Sequence, residues 1–396
     1  MDTIPELSFD NTQVAFAPRS DAALQRMLWI FRFLDRDALA RLAMKLANWS
    51  VKGRLPFKTL VKNTVFAHFC GGESIEECAP TIAGLASYGV GSILDYSVEG
   101  VRDEAGFDAT RDEILRTIQY AAASSHLPFS VFKLSGIGDR RLLARIQKKK
   151  PLTPEEKTAF ERIKQRLDQL CEAAHQQKVK ILIDAEESWF QDVTDQLVLA
   201  LMEKYNKQEA IVYNTFQMYR KDMFRRLKDA HHEAVAKGFF LGAKLVRGAY
   251  LEKELKRAGK KGYPSPIHSS KEHTDQDFND ALRFCLNNKQ RIFLVSGTHN
   301  EGSNIILPEL MYLHGMKKND ERVYFAQLYG MSDHITFNLS RAGYNVAKYL
   351  PYGPLEAVMP YLSRRAAENK SVSAQSTRTL ALIKKELGRR KASKTH

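Results

Sequence analysis

The sequence is poor in cysteine and has no long apolar run, and each absence excludes a class of protein. Four cysteines in 396 residues form no Cys-x-x-Cys pair, so we expect reduced, structural thiols and no disulfide framework. The apolar run nearest the start, MLWIFRFL, is interrupted by Arg32. No stretch approaches the roughly 20 apolar residues that a membrane-spanning helix needs. The cysteines are Cys70, Cys78, Cys171 and Cys285.

Signals for secretion and for metal binding are also lacking. The first residues, MDTIPELSFD, have neither the charged nor the apolar region of a signal peptide, so we expect a cytoplasmic protein. Eleven histidines show no metal-ligand spacing. The adjacent His231 and His232 could not both face one ion from a regular helix. We therefore predict no metal.

The charge is strongly positive, with a net value of +14. It is spread along the chain, and no zinc-finger, basic-zipper or RNA-recognition pattern accompanies it. An anionic cofactor, an acidic substrate or an anionic membrane surface would suit the same balance. The charge alone therefore does not predict a nucleic-acid partner.

Two segments of the sequence carry clear helical patterns. Residues 21–49 carry apolar side chains at helical spacing, with Leu24, Met27, Leu28 and Phe31 on one stripe, and they predict an N-terminal helical arm. The clearest later helix is 153–175, where Thr153 and Glu156 form a capping-box start. Its core stripe consists of Phe160, Ile163, Leu167 and Leu170.

Eight short runs rich in β-branched and aromatic residues alternate with helical patterns after the arm. This alternation predicts a parallel α/β architecture, and eight strands are the number that closes a (β/α)₈ barrel. An open doubly wound sheet is the competing fold, but no Gly-x-Gly-x-x-Gly follows the first strand. The runs are 91–96, 129–135, 179–187, 210–219, 239–250, 291–300, 322–330 and 345–353.

Polar side chains recur at the ends of these runs, where a barrel enzyme places its active site. Lys133 interrupts an apolar run and is costly to bury without an anionic partner. Asp184 could instead cap the helix that follows it. The tyrosines could be packing residues, and His299 a hydrogen-bonded structural histidine. The whole set is Asp95, Lys133, Asp184, Gln217, Lys244, Tyr250, Thr298, His299, Gln327, Tyr329 and Tyr349.

The stretch KLVRGAYLEKE, residues 244–254, carries the most information. Lys244 and Arg247 lead into Gly248, which has no β-carbon and so allows close approach of the backbone to a ligand. Flanking cations and free backbone amides suit a planar cofactor with a pyrophosphate. The alternative is an ordinary strand-to-helix turn with surface charges.

Six stretches in this order closely resemble the proline dehydrogenase family: LIDAEES, KLVRGAYLEKE, SGTHN, QLYGM, YLPYGP and YLSRRAAEN. The stretches CGGESIEECAPTIAGL and LDYSVEG look like those of monofunctional members. The resemblance implies a distorted (β/α)₈ TIM-type barrel over 85–370, after an N-terminal helical arm over 1–84. A C-terminal helix and basic tail would occupy 371–396. It also implies FAD-dependent oxidation of L-proline to Δ1-pyrroline-5-carboxylate, by hydride transfer from C5 to flavin N5.

The resemblance also implies site residues. Asp184 and Lys244 would be catalytic. The expected proline contacts are Lys133, Asp184, Leu245, Tyr250, Leu328, Tyr349, Arg364 and Arg365. The expected FAD contacts are Ala185, Gln217, Lys244, Val246, Gly248, Thr298, His299 and Glu368. Many bifunctional members have arginine in place of Lys244 and lysine in place of Arg247, and a lysine cannot reproduce a bidentate guanidinium contact.

Partners follow from the same resemblance. Electrons would pass to a membrane quinone, in the first step of proline catabolism to glutamate. With no aldehyde dehydrogenase domain in the chain, we expect a separate pyrroline-5-carboxylate dehydrogenase to consume the product. The basic tail ALIKKELGRRKASK either makes peripheral contact with the inner face of the membrane or is solvated. Two alternatives stay open: a substrate such as hydroxyproline, and a nucleic-acid-binding or regulatory protein, which would lack a flavin spectrum.

Overall fold

Eight strands alternate with helices in the computed structural model, which describes residues 7–34, 59, 61–98, 100–371 and 373–394. Side chains of residues 364–376 lie outside the description. Each predicted strand run coincides with one strand, although β1 begins one residue before its run and the other runs extend beyond the strand ends. The strands are β1 (Val90–Tyr96), β2 (Phe129–Lys133), β3 (Lys180–Asp184), β4 (Val212–Gln217), β5 (Leu241–Val246), β6 (Ile292–Gly297), β7 (Val323–Leu328) and β8 (Val346–Tyr352).

The strands form a closed barrel in chain order, which confirms the predicted (β/α)₈ fold. The pairings are parallel, and the register of β2 with β3 places Lys133 level with Asp184. In the pairing of β4 with β5, Gln217 is level with Val246. Because the carboxyl ends of parallel strands share one face of a barrel, polar residues far apart in sequence meet there.

Helices connect the strands, and most begin with a side-chain cap. The predicted helix over 153–175 is observed as Pro154–Gln176, with the capping box between Thr153 and Glu156 in place. Ile163, Leu167 and Leu170 of its predicted stripe are buried. The numbered helices are α1 (Thr12–Ala15), α2 (Asp21–Leu34), α3 (Ile75–Ala86), α4 (Glu104–Ala122), α5 (Arg140–Gln147), α6 (Pro154–Gln176), α7 (Ser188–Tyr205), α8 (Met223–Lys237), α9 (Leu251–Lys261), α10 (Lys271–Asn287), α11 (Glu301–Leu313), α12 (Asp333–Arg341), α13 (Leu355–Ser371) and α14 (Ser373–Ala392). Short helical segments that we leave unnumbered are Lys62–Phe66, Ala67–Phe69 and Leu134–Gly136.

By its contacts the chain divides into two compact units. Among the described residues, the first comprises 101–326, and the second comprises 7–34, 59, 61–98, 100, 327–371 and 373–394. The boundaries predicted at residues 84 and 370 stay predictions.

The predicted N-terminal arm is helical over its described part, α2, whereas 35–49 lie outside the described residues. Within the second unit, its buried stripe of Leu24, Met27 and Phe31 packs against Leu382 and Ile383 of α14, with Leu28 partly buried beside them. The apolar periodicity seen in the sequence therefore serves helix–helix packing.

Charged residues of the predicted basic tail hold this helix pair together. Arg390 donates to the carbonyl oxygens of Phe16 and Arg19, at 2.9 and 2.7 Å. It also pairs with Asp21 and Glu386, at 2.9 and 2.7 Å. Much of the tail's charge is thus used within the second unit.

All four cysteines are free and buried, as the sequence analysis predicts. Burial raises the pKa of the Cys78 thiol to about 12, so this thiol is not reactive at neutral pH. Among the described residues, no group of three or more His, Cys, Asp or Glu side chains could hold a metal ion. No helix in the described ranges is long and apolar enough to cross a membrane.

Candidate active site at the strand ends

The ends of three strands bring one carboxylate and two ammonium groups together. The Lys244 Nζ atom lies 2.5 Å from one Asp184 oxygen, and Lys133 Nζ lies 3.7 Å from the other. The side chains of Asp184 and Lys244 are 15% and 6% exposed, and Lys133 is 23% exposed. Asp184 is the anionic partner that Lys133 was expected to need, but Lys244 is the cation nearer to it. The arrangement carries a net positive charge that stays partly open to solvent.

Glu186, which the sequence analysis did not single out, lies beside this cluster. Its carboxylate accepts hydrogen bonds from the backbone N–H and the hydroxyl of Ser135, at 3.0 and 2.6 Å. Burial raises the pKa of Glu186 to about 7, and Glu187 adds to the rise, whereas Ser135 and Lys133 oppose it. Glu186 therefore titrates near neutral pH. The acidic run after the β3 end was the available sequence signal.

Gln217 ends β4 and is almost fully buried. Its amide nitrogen donates to the Glu186 carbonyl oxygen at 2.7 Å, and its amide oxygen accepts from the Ala249 N–H at 3.4 Å. The side chain thus bridges the segments that follow β3 and β5. Its expected contact with FAD stays a prediction.

Arg247 binds protein groups in three directions. Its Nε atom donates to Asp275 at 2.5 Å, and its terminal nitrogens donate to Thr298 at 2.6 Å and to Ser303 at 3.0 Å. The guanidinium also lies over the Phe278 ring, 4.5 Å from its centroid. Burial lowers the pKa of Arg247, although Asp275 opposes the change. Arg247 therefore fixes Thr298, an expected FAD contact, at the end of β6.

Both the backbone conformation at residue 248 and the packing around it require glycine. Its φ of +137° is one that side-chain-bearing residues rarely adopt. A β-carbon there would lie 2.5 Å from carbon atoms of the Tyr219 ring. The sequence predicts close approach of a ligand to the backbone at this glycine, whereas the structure gives Tyr219 as its immediate neighbour.

The other expected site residues of the first unit lie on or just after β3, β5 and β6. Ala185 and Tyr250 are each 8% exposed, and Leu245 is completely buried. Val246 and His299 are half-buried. Tyr250 precedes the first residue of α9, and Lys253 lies over its ring at 5.0 Å.

Four expected proline contacts lie in the second unit, and the side chains of two of them, Leu328 and Tyr349, are described. Leu328 ends β7 and is half-buried, and Tyr349 lies within β8 and is buried. The N–H of Tyr329 donates to the Tyr349 carbonyl oxygen at 2.8 Å. Lys348 donates to the Leu328 carbonyl oxygen at 3.3 Å.

The adjacent arginines Arg364 and Arg365 and the nearby Glu368 lie on α13. Their side chains lie outside the described residues. The expected contacts of the two arginines with proline, and of Glu368 with FAD, therefore stay predictions.

The strand-end residues fall inside a match to a known family model. The model described as proline dehydrogenase matches residues 78–378. The chain belongs to the proline dehydrogenase family. This confirms the family that the ordered motifs indicated, and members of the family are typically flavin-dependent.

Several relatives are similar to this family member over most of their length. Proline dehydrogenase 2, mitochondrial, from Arabidopsis thaliana is 32% identical over 98% of this chain and 94% of its own. The carbapenem antibiotics biosynthesis protein CarD from Pectobacterium carotovorum is 37% identical over 81% of this chain and 83% of its own. Hydroxyproline dehydrogenase from Xenopus laevis is 30% identical over 97% and 90%.

Among solved structures, proline utilization A from Bdellovibrio bacteriovorus inactivated by N-propargylglycine has a similar fold. The TM-score is 0.71 at 20% identity, covering 90% of this proline dehydrogenase family member and 38% of that chain. At this identity the likeness supports the barrel fold and no more.

Proposed function

We propose that the protein oxidises L-proline to Δ1-pyrroline-5-carboxylate with FAD as its cofactor. The observation that carries the proposal is the Lys133–Asp184–Lys244 cluster, at strand ends within the match to the proline dehydrogenase family. Proline carries a carboxylate, and a half-open cluster with a net positive charge would attract it. Barrel enzymes place their reacting groups at this face.

The residues present fit FAD. The ends of β4, β5 and β6 provide an amide, an ammonium group, a hydroxyl and an imidazole, beside buried apolar side chains. These groups suit the polar ring edge and the diphosphate of the cofactor. When bound, FAD supplies the two-electron oxidant. The residues proposed to hold it are Ala185, Gln217, Lys244, Val246, Gly248, Thr298, His299 and Glu368.

The side chains of this protein would bind and orient the substrate. Lys133 would neutralise the substrate carboxylate, with Arg364 and Arg365 as further cations proposed from the family resemblance. Leu245 and Tyr250 would contact the ring, as would Leu328 and Tyr349. Asp184 would keep Lys133 and Lys244 in place, so that C5 is held in the geometry for reaction.

The charge state of proline makes the reaction depend on pH. Oxidation at C5 requires a neutral amine, and the proline amine is mostly protonated near neutral pH. We therefore expect kcat/KM to rise with pH as the amine loses its proton. No group of the protein is assigned as the base.

Spectroscopy tests the proposal directly. The purified protein should be yellow, and proline should bleach the flavin band when oxygen is absent. Colourless protein that also fails to take up added FAD would contradict the proposed cofactor. Yellow protein that no proline concentration bleaches would contradict the proposed substrate.

Arg364→Met and Arg365→Met test the substrate contacts. Each should raise the proline KM much more than it lowers flavin content, because the arginines are proposed to bind the carboxylate. A KM unchanged in both variants would remove these residues from the substrate site. Arg225→Met is a matched control, since Arg225 pairs with Asp229 at the surface of α8.

Hydroxyproline is the second candidate substrate, because a hydroxyproline dehydrogenase is among the similar relatives. Anaerobic reduction with proline, hydroxyproline and pipecolate, measured side by side, separates the two. A larger kcat/KM for hydroxyproline would replace proline as the assigned substrate.

The proposed electron acceptor is a membrane quinone, and a separate pyrroline-5-carboxylate dehydrogenase would take the product. We propose a cytoplasmic protein in peripheral contact with the membrane. Arg390 binds the Arg19 carbonyl oxygen and Asp21 of α2, so fewer cations of the basic tail are left to bind lipid. If deletion of residues 388–396 leaves liposome binding unchanged, the tail is not the anchor.

A further inference from the structure

Glu186 is a buried acid beside the candidate site with no role in the proposed reaction. It lies two residues after Asp184, and only 6% of it is exposed. Both carboxylate oxygens accept from Ser135, one from the backbone N–H and one from the hydroxyl. Ser135 in turn lies two residues after Lys133. This pair of hydrogen bonds therefore joins the segments that follow Lys133 and Asp184.

The backbone of Glu186 is fixed on both sides. Its N–H donates to the Gln191 amide oxygen at 2.7 Å, and its carbonyl oxygen accepts from the Gln217 amide at 2.7 Å. Gln191 is itself held by Asp195 at 2.8 Å. With three of its groups bonded to different elements, Glu186 is a rigid point from which Ser135 is positioned.

The charge of Glu186 also matters to Lys133. Glu187, on the same segment, raises the pKa of Glu186, and Lys133 on β2 lowers it. Lys133, Asp184 and Lys244 together carry a net charge of +1 when all three are ionised. An ionised Glu186 would cancel that charge, and a neutral one would leave it for an anionic ligand.

We propose that Glu186 is a positioning residue that holds Lys133 beside Asp184 through Ser135. The inference rests on the proposed function, because it takes Lys133 and Asp184 as part of the proline site. The ligand class is a small carboxylate. Glu186 acts on it through Ser135 and Lys133, without touching it.

Three variants test the positioning role in the FAD-loaded enzyme. Glu186→Ala removes both acceptors of Ser135, so the proline KM should rise roughly tenfold with a smaller change in kcat. Glu186→Gln keeps one oxygen for the Ser135 N–H and should restore most of the affinity. Ser135→Ala loses only the hydroxyl contact and should raise KM roughly fivefold. Equal KM values in wild type and Glu186→Ala would overturn the proposal.

A pH profile separates positioning from folding. Tetrahydrofuran-2-carboxylate has a ring oxygen in place of the proline amine, so its charge is constant from pH 6 to 8. Its Kd for wild type, measured by calorimetry, should rise roughly threefold over this range as Glu186 ionises near Lys133. Glu186→Gln carries no titrating group there, so its Kd should stay constant. If the Kd of Glu186→Gln changed with pH as the wild-type Kd does, Glu186 would not be the group responsible for the change.

A second serine–glutamate pair provides the matched control. Ser188 donates from its N–H and its hydroxyl to Glu254, at 2.6 and 2.7 Å. Ser188→Ala loses the equivalent hydroxyl contact but should leave the pH dependence of the Kd unchanged. A moved profile in Ser188→Ala would count against the role of Glu186. Failure of wild type to bind the analogue or to react with proline would instead contradict the proposed function.

Discussion

Two clusters in this protein have the same charges but different surroundings. In the first unit, Asp184 lies between Lys133 and Lys244. In the second unit, Asp333 lies between Arg19 and Lys348, each 3.0 Å away. The side chains of Asp333 and Lys348 are 2% and 0% exposed, whereas Lys133 is 23% exposed. Arg19 is 19% exposed, so the difference lies in the carboxylate and the lysine: we call the first cluster half-open because Asp184 is 15% exposed, and the second closed because Asp333 and Lys348 are buried.

The hydrogen-bond donors of the closed cluster bind groups of the protein itself. Lys348 also donates to the carbonyl oxygens of Leu328 and Met331. Burial disfavours the charge of Asp333, but Lys348 and Arg19 hold its pKa well below the usual range. The buried carboxylate therefore stays ionised and joins the N-terminal segment to α12 and β8. The two clusters differ in solvent exposure more than in charge, and the more exposed one is proposed to bind a ligand.

Asp333→Asn should produce the largest loss of stability, because it leaves the fully buried Lys348 without its counter-ion. We expect the free energy of unfolding to fall by about 3–5 kcal/mol, measured by denaturant titration. Adding Lys348→Met removes the uncompensated charge and should recover part of the loss. A double variant no more stable than Asp333→Asn would mean that the buried charge is not the cause.

Asp184→Asn should affect catalysis more than folding. We expect kcat/KM for proline to fall on the order of 100-fold, because both lysines lose the group that orients them. The free energy of unfolding should fall by about 2–3 kcal/mol, less than in Asp333→Asn, because Lys133 stays open to water although the 6% exposed Lys244 loses its counter-ion. Asp168→Asn, which loses a surface bond to Lys204, is the control for activity. A stability loss as large as that of Asp333→Asn would remove the distinction between the clusters.

The fold was predictable because each strand leaves a local signal. Short β-branched and aromatic runs gave all eight strands, and their number and alternation gave the barrel. Strand ends were less accurate. The run 179–187 extends past the observed end of β3 at Asp184, because polar residues that leave the sheet are adjacent to it in sequence.

The site was predictable only in part, because contacts across a barrel have no local pattern. Lys133 could be singled out because it is a lysine inside an apolar strand, and the structure shows that its acidic partner is Asp184. The same rule applied to NVAKYLPYG would have predicted a buried partner for Lys348, which is Asp333. That Lys244 lies nearer to Asp184 than Lys133 does, and that Ser135 binds Glu186, depends on distances that the sequence does not contain.

Arg247→Lys should have an intermediate effect and tests which cations of the first unit serve the ligand. Arginine reaches Asp275, Thr298 and Ser303 at once, whereas lysine can keep only part of this network. FAD affinity should fall roughly tenfold, measured by titrating the apoprotein, because Thr298 loses its donor. Arg225→Lys is the surface control. Unchanged FAD affinity would mean that Arg247, like the closed cluster, serves the fold alone.

Glu386 of α14 provides a third cluster and the smallest expected effect. Its completely buried carboxylate binds Arg389 and Arg390, which are 40% and 17% exposed. Arg389 lowers its pKa to about 2 despite burial, with help from Arg390 and Thr12. A lowered pKa stabilises the folded protein at pH values above the ordinary pKa of glutamate, and this contribution is lost as the pH falls toward 2.

Glu386→Gln should therefore lower the free energy of unfolding by about 1 kcal/mol at pH 7, and the difference from wild type should shrink as the pH is lowered. Both are measured by denaturant unfolding between pH 7 and 3. The effect should be smaller than that of Asp333→Asn because the two arginines left behind face water. A loss as large as in Asp333→Asn would show that burial of the acid, and not of its cations, determines the cost.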